Sequence, residues 1–418
     1  MLLIKNGSVF GEPGTPDVLI KDGAVAQISD NIQKSDGMTV IDAAGLIVAP
    51  GLVDMHVHFR DPGFEYKEDI YTGAAAAAAG GVTTCACMPN TLPAADNAEV
   101  VGYIVDKARN AQITVLPYGA VTIGQNGREL TDFAALKAAG AIGLSDDGNS
   151  IQNAAVARRA MLLAREHDLL IVSHCEDADL AQNHGVNEGR VSTELGLPGR
   201  PAAAEEIMVA RDAALARDTG ARVHIAHVST VGAVEIIRRA KDDGVRISAE
   251  TCPQYFTLTD EEILSKGALA RVNPPLRTGI DVEAIIKGLA DGTIDAIATD
   301  HAPHSAEEKS RPLPDALSGM IGLETSLGLA LTFLYHTGRL SLEAIIRLMS
   351  ISPARILGLG ERAICIGAAA DIVIFDPDEE WTVDPARFKS KARNTPFEGM
   401  KLRGRVKYTV SRGKQVFF

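Results

Sequence analysis

The sequence predicts an α/β protein, a (β/α)8 TIM barrel with a small β-sandwich built from both chain termini. Three observations predict it. From residue 51 to about 360, short β-branched runs alternate with helical patterns, the signature of βα units around a parallel sheet, over a length that fits eight strands. Both ends of the chain are rich in short strands that cannot bury two faces alone. Strands one, four, five, six and eight of the alternation each run into a histidine or an aspartate. At 418 residues the chain suits one large domain and a smaller one. We divide it into residues 1–50, the first part of the sandwich; 51–360, a metal-dependent barrel; and 361–418, the rest of the sandwich.

The first element after the start is Leu2 to Ile4, with Asn6-Gly7 as a turn. Val18-Leu19-Ile20 and Ala24 to Ile28 flank Lys21-Asp22-Gly23, a hairpin signal. Thr39 to Ile41 and Leu46 to Val48 complete the N-terminal strands. At the other end, Ala370 to Phe375 reads as a strand, and Gly404 to Val410 before Ser411-Arg412-Gly413-Lys414 as a last hairpin.

Pro50-Gly51-Leu52-Val53-Asp54-Met55-His56-Val57-His58-Phe59-Arg60-Asp61-Pro62-Gly63 reads as the first barrel strand running into a polar loop. Tyr71 to Ala79 is a helix, mostly alanine, stopped at Gly80-Gly81. The second strand is Val82 to Met88, with Pro89-Asn90-Thr91 as its loop. Ile113–Leu116 is the third, and Ile142–Leu144 the fourth, which ends in Ser145-Asp146-Asp147-Gly148. Leu170–Val172 is the fifth, ending in Ser173-His174, and Val223–His227 the sixth. Val245–Ala249 is the seventh, ending in Glu250, and Ile294–Ala298 the eighth, ending in Thr299-Asp300-His301. Helical stretches such as Ala202–Ala216 and Val231–Ala240 lie between them.

His56 and His58, two apart on a strand, share a side, and two imidazoles converging on one point are half of a metal site. In a barrel of this kind the C-terminal strand ends face the active site. His56, His58, Asp147, His174, His227 and Asp300 should therefore converge. Four imidazoles and two carboxylates suit zinc, and less selectively cobalt or manganese, rather than a thiolate site. Asp147 can bridge two ions with its two oxygens, and Asp146 is the competing candidate. Metal binding brings a water's pKa near neutral and supplies the nucleophile. Asp300 stands where a general acid/base should. Arg60 at the lip of the first strand suits a carboxylate, because its fork can hold both oxygens. Cys85 and Cys87 read as small core residues. His167, His184, His224 and His336 read as surface or core, and His301 as an orienter of neighbouring groups.

The H-x-H closing the first strand resembles the amidohydrolase superfamily, and His56-Val57-His58-Phe59-Arg60-Asp61-Pro62-Gly63 resembles its dihydroorotase branch. Ala298-Thr299-Asp300-His301-Ala302-Pro303-His304 and Asn273-Pro274-Pro275-Leu276-Arg277 extend the likeness over nearly the whole chain. The resemblance implies that His56, His58 and Asp300 hold one metal, that His174 and His227 hold a second, and that Asp147 links them. It implies substrate contacts from His58, Arg60, Asn90, Asn273 and His304, with Ser318 and Gly319 as a backbone wall. Relatives acting on hydantoins or allantoin bridge their metals with a carboxylated lysine. Residues 140–150 contain none, as in the class I bacterial dihydroorotases. Glu250-Thr251-Cys252-Pro253-Gln254-Tyr255 looks like the hydantoinase version of that segment.

The implied activity is metal-dependent interconversion of N-carbamoyl-L-aspartate and L-dihydroorotate in pyrimidine synthesis, with one or two Zn2+. The alternatives are the same chemistry on a hydantoin, dihydropyrimidine or allantoin ring, and a non-catalytic partner of aspartate transcarbamoylase. Such partners typically lose metal ligands, and all six stand here. Family precedent further suggests a homodimer and association with aspartate transcarbamoylase. The net charge of −13 argues against nucleic-acid binding and means that an anionic substrate needs a local cation. Five scattered cysteines suit a reducing cytoplasm, and neither an N-terminal signal nor a membrane-spanning run is evident.

Overall fold

The structure is a computed structural model and describes residues 1–182 and 184–418. Eight strands run parallel in two sheets. Leu52–Val57, Val82–Cys87 and Thr114–Pro117 form one; Leu144–Ser145, Ile171–Ser173, Val223–Ile225, Ile247–Thr251 and Ala296–Ile297 form the other. Isolated parallel bridges, Gly119 to Leu144 and Val57 to His301, join the edges of the two sheets at both sides. Helices separate successive strands, among them Ile70–Ala79, Ala98–Ala108, Ala154–Glu166, Ala203–Thr219, Val231–Asp242 and Gly279–Asp291.

The alternation of the strands divides the core in two. Val53, Met55, Ala86, Met88, Tyr118, Leu170, Val172, Ala226, Ala296 and Ala298 pack on one another as an inner cluster. Leu52, Val57, Val82, Cys85, Cys87, Val115, Leu144, Ile171, Val223 and Ile225 pack outward against the helices. This is the period-two pattern of strands covered on both faces. Cys85 and Cys87 belong to that outer layer as buried free thiols, as the sequence suggests. The alanine-rich helix Ile70–Ala79 is capped by Asp69, whose side chain accepts from the Tyr71 and Thr72 amides. Its small residues let it lie close to the sheet: a Cβ on Gly73 would meet the Phe59 ring at 2.4 Å.

Both chain ends are β structure. Ala24–Ser29, Asp17–Lys21, Leu2–Lys5 and Thr39–Asp42 make a four-stranded sheet. Lys414–Phe417, Lys401–Ser411, Ile372–Thr382, Ile47–Pro50 and Ser8–Val9 make a five-stranded one that mixes N- and C-terminal strands. The two sheets share one apolar cluster, with Ile4, Val18, Ile20 and Ile41 against Val48, Ile372, Ile374 and Val410. The C-terminal chain is not confined to these sheets. Between Thr382 and Lys401 it turns back, and Ser390, Ala392, Asn394, Thr395 and Phe397 are buried.

Candidate active site and metal centre

His56 lies in the first parallel strand and His58 one residue past its end. Asp147 follows the fourth strand, His174 the fifth, His227 the sixth and Asp300 the eighth, and all six side chains are buried. Oδ1 of Asp147 lies 3.5 Å from His56 Nε2, 3.6 Å from His174 Nδ1 and 3.5 Å from His227 Nε2. Its Oδ2 lies 3.5 Å from His58 Nε2. Asp147 thus belongs to two trios at once, with His56 and His58 on one side and His174 and His227 on the other. Asp300 Oδ1 is 2.9 Å from His58 Nε2 and 3.5 Å from His56 Nε2.

The donor set fits a divalent cation. His56 Nε2 and Asp147 Oδ1 are buried without a hydrogen-bond partner, a costly state that a metal relieves. His174 Nδ1 and His227 Nε2 are 2.7 Å apart, two ring nitrogens aimed at a common point. Asp146 plays another part. It accepts hydrogen bonds from the Val121 and Thr122 amides at 2.8 and 3.1 Å and from the Thr122 hydroxyl, fastening the fourth strand end to the loop after the third. Of the two neighbouring carboxylates, Asp147 is the one among the imidazoles.

Three of the four imidazoles, His56, His58 and His174, are held from behind. His56 Nδ1 donates to Glu250 Oε1 at 2.7 Å, and Glu250 Oε2 is 3.3 Å from His224 Nε2. His224 in turn contacts the Ser248 hydroxyl at 2.8 Å. His58 Nδ1 donates to Asn90 Oδ1 at 2.9 Å. His174 Nε2 is 3.5 Å from Glu176, whose carboxylate pairs with the buried Arg200. A carboxylate or amide behind a ligating imidazole fixes its tautomer and ring direction. Asp54 ties the first strand to the eighth: it accepts from the His56 amide at 3.1 Å, the Thr299 amide at 3.2 Å and the Thr299 hydroxyl at 2.6 Å. Burial pushes the Asp54 carboxyl up to about 7 against the pull of those donors. His301 supports the site through its backbone, accepting from the His58 amide at 2.9 Å, while its ring meets Glu68 and the Gly322 amide.

Glu250, His224, Asp54, Glu176 and Arg200 carry no site role in the sequence reading. Asp54 inside an apolar strand was the available signal, because a carboxylate there needs a partner. Arg200 and Glu176 sit in no motif that would have marked them. His224 is core, as expected, with Glu250 as its partner.

Backbone strain gathers at the same place. Arg60, His227 and Asp300 have φ of 61°, 37° and 48°, the left-handed region that side chains other than glycine adopt at a cost of roughly 1–3 kcal/mol each.

Beside the imidazoles lies a cavity of about 210 Å3, lined by His58, Arg60, Asn90, Asp147, His174, His227, Asn273, Asp300, His304, Ser318 and Gly319, with Gly148, Ala302 and Leu317. Every residue singled out from sequence as a substrate contact is on its wall. Arg60 Nε donates to Pro303 O at 3.3 Å, and its two terminal nitrogens have no protein partner among the described residues. Burial draws the Arg60 pKa down, with Asp300 and Asp147 opposing. His304 is pushed down to about 3 by burial and by the cations Arg60 and Lys67, so its imidazole is neutral and Nε2–H donates to Ser318 O at 2.9 Å. Asn273 lies beside His174, with Nδ2 3.4 Å from His174 Nε2, and its Oδ1 accepts from Arg200. Gly319, at φ 137°, lets the wall close up: a Cβ there would sit 2.8 Å from Ala302 Cβ and 3.0 Å from His304 Nε2.

Solved structures share this architecture. The L-hydantoinase (dihydropyrimidinase) from Arthrobacter aurescens superposes with a TM-score of 0.88 at 27% identity, covering 100% of this chain and 96% of that one. The dihydropyrimidinase from Brevibacillus agri NCHU1002 gives 0.85 at 25% identity, over 99% and 94%. Fold and site together define a cyclic amidohydrolase. A family described as dihydro-orotase-like matches residues 45–233. The chain is 50% identical to the dihydroorotase of Geobacter sp. (strain M21), over 100% of this chain and 99% of that protein. It is 49% identical to the dihydroorotase of Clostridioides difficile (strain 630), over 100% of both. The chain belongs to the dihydroorotase family. No helix among the described residues is long and apolar enough to cross a membrane.

Proposed function

We propose that this protein is a zinc-dependent dihydroorotase that interconverts N-carbamoyl-L-aspartate and L-dihydroorotate in pyrimidine synthesis, acting as a cytoplasmic homodimer. The eight parallel strands are read as one closed (β/α)8 barrel over residues 51–360, and the two terminal sheets as a β-sandwich from residues 1–50 and 361–418. The observation that carries the function is a single one. The guanidinium of Arg60, with its terminal nitrogens unpartnered among the described residues, shares a cavity of about 210 Å3 with Asp147 and Asp300.

His56, His58 and Asp300 would hold one ion, His174 and His227 a second, with Asp147 between them. When bound, the metal supplies Lewis acidity and brings a water's pKa near neutral. The chain's own residues do the rest. Arg60, with Asn90, Asn273 and His304, grips the ring carboxylate, a charged, directional contact in a half-buried setting. The backbone at Ser318 and Gly319 lines the opposite wall. In ring opening, water adds to the ring carbonyl carbon and the C–N bond breaks; Asp300 takes a proton from the water and gives it to the departing nitrogen. In ring closure Asp300 moves the proton the other way, and water leaves.

The Glu250–Tyr255 segment does not line the cavity: Glu250 holds His56, and the Tyr255 hydroxyl donates to Pro274 O at 2.7 Å. The test is hydrolysis of L-dihydroorotate against hydantoin and allantoin by metal-reconstituted protein, with metal counted by mass spectrometry. Preference for the carboxylated ring by a zinc-loaded enzyme is expected; preference for hydantoin or allantoin overturns it.

A further inference from the structure

Asn394 comes from the C-terminal chain, 75 residues past the last cavity-lining residue, Gly319, and it is buried. Its side-chain amide makes three hydrogen bonds, all to backbone of the cavity wall. Nδ2 donates to Ala302 O and to Gly319 O, both at 3.1 Å, and Oδ1 accepts from the His304 amide at 3.1 Å. Its own backbone carbonyl accepts from the Ile321 amide at 3.0 Å. Ala302, His304 and Gly319 line the substrate cavity, and Asn394 does not.

Lys309, at the end of the short helix Ala306–Lys309, reaches the same wall. It is 7% exposed, and its ammonium donates to Arg271 O at 3.3 Å, Leu317 O at 2.9 Å and Gly319 O at 2.9 Å. No carboxylate pairs with it among the described residues. A buried ammonium without a counter-ion is expensive, and burial draws its pKa down to about 7. The three carbonyls take up its three N–H donors, so the cost is tied to one loop arrangement. Gly319 O is the acceptor that Asn394 and Lys309 share. The Gly319 amide donates to Arg271 O at 3.0 Å, two residues from Asn273.

We propose that Asn394 and Lys309 are positioning residues that together clamp the Gly319 carbonyl, and through it set the spacing between His304, Ser318–Gly319 and Asn273 on the substrate wall. The inference rests on the dihydroorotase reading of the cavity. It follows that the C-terminal segment takes part in substrate recognition although it touches no substrate.

The test is steady-state kinetics on full-length, metal-loaded Asn394→Ala, Asn394→Ser and Lys309→Met. Each loses two or three hydrogen bonds of ordinary strength, so KM for L-dihydroorotate should rise about 3- to 30-fold while kcat stays within about threefold. Metal content should not change. Asn394→Asp keeps the acceptor for the His304 amide but sets a carboxylate against two carbonyls, and should raise KM at least as far as Asn394→Ala. The double variant Asn394→Ala/Lys309→Met should show less than the product of the single effects, because both act on one carbonyl. Folded variants with lower melting temperatures and wild-type KM, or effects that multiply freely, overturn the clamp. Should Asn394→Ala not fold, Asn394→Ser and Lys309→Met carry the same readout. A wild-type enzyme that leaves dihydroorotate untouched refutes the functional reading; a wild-type enzyme that turns it over beside variants of unchanged KM refutes only the clamp.

Discussion

The two sides of the active site are built differently. The imidazole side comes from strand ends: His56, His58, Asp147, His174, His227 and Asp300 each stand within or at most three residues beyond a parallel strand. The substrate side comes from loops: Arg60, His304, Ser318 and Gly319 are held mainly by hydrogen bonds involving backbone, and Asn90 and Asn273 by the side chains of His58 and Arg200. A strand end is fixed by the whole sheet and its core. A loop carbonyl is fixed only by the few donors that reach it. Damage to the first side should therefore be all-or-none, and damage to the second graded.

The largest effect expected is at Asp147. Because it belongs to both trios, Asp147→Ala should lose metal and activity together, read by metal analysis and turnover. Added bicarbonate should leave the wild type unchanged, since the fourth strand end, residues 140–150, holds no lysine to carboxylate; activation by bicarbonate would break the assignment. Next comes Asp300→Asn, which keeps the shape and cannot carry a proton. It should cost about 10²–10⁴ in kcat at full metal occupancy. A wild-type rate there would pass the proton transfer to another group.

Glu250→Gln sharpens the contrast from within the imidazole side. It keeps a hydrogen bond to His56 and removes the charge, and should weaken metal affinity about 10- to 100-fold by chelator competition. Arg60→Met probes the loop side. Loss of a charged contact of about 1.5–3 kcal/mol should lower kcat/KM for dihydroorotate about ten- to a hundredfold, with metal content intact. Equal losses on an uncharged ring would make Arg60 a support of the fold. The smallest effect belongs to Asp146→Asn. Its three hydrogen bonds are structural, so thermal denaturation should show a loss of about 1–3 kcal/mol while metal stoichiometry stays that of the wild type.

The same division decides what the sequence makes legible. The strand ends stand out because β-branched runs and their terminal His or Asp recur along the chain, and the structure brings all six together. The resemblance already favoured Asp147 over Asp146, and the geometry adds what Asp146 does instead, accepting from Val121 and Thr122. Strand limits moved by a few residues: the seventh runs through Glu250 to Thr251, so that Glu250 lies in the strand and meets His56. Glu250 escaped notice as a support of His56 because the two are 194 positions apart. Asn394 escaped for the same reason, 90 positions from His304, in a stretch assigned by composition to the terminal sheets.

The left-handed backbone at His227 and Asp300 has a consequence for anyone selecting sturdier versions of this enzyme. Glycine would relax both positions, so a screen that rewards heat resistance alone favours replacing the proposed metal ligand and the proposed proton carrier. Survivors of such a screen would be well-folded and inert. Thermal selection on this scaffold needs turnover scored in the same round.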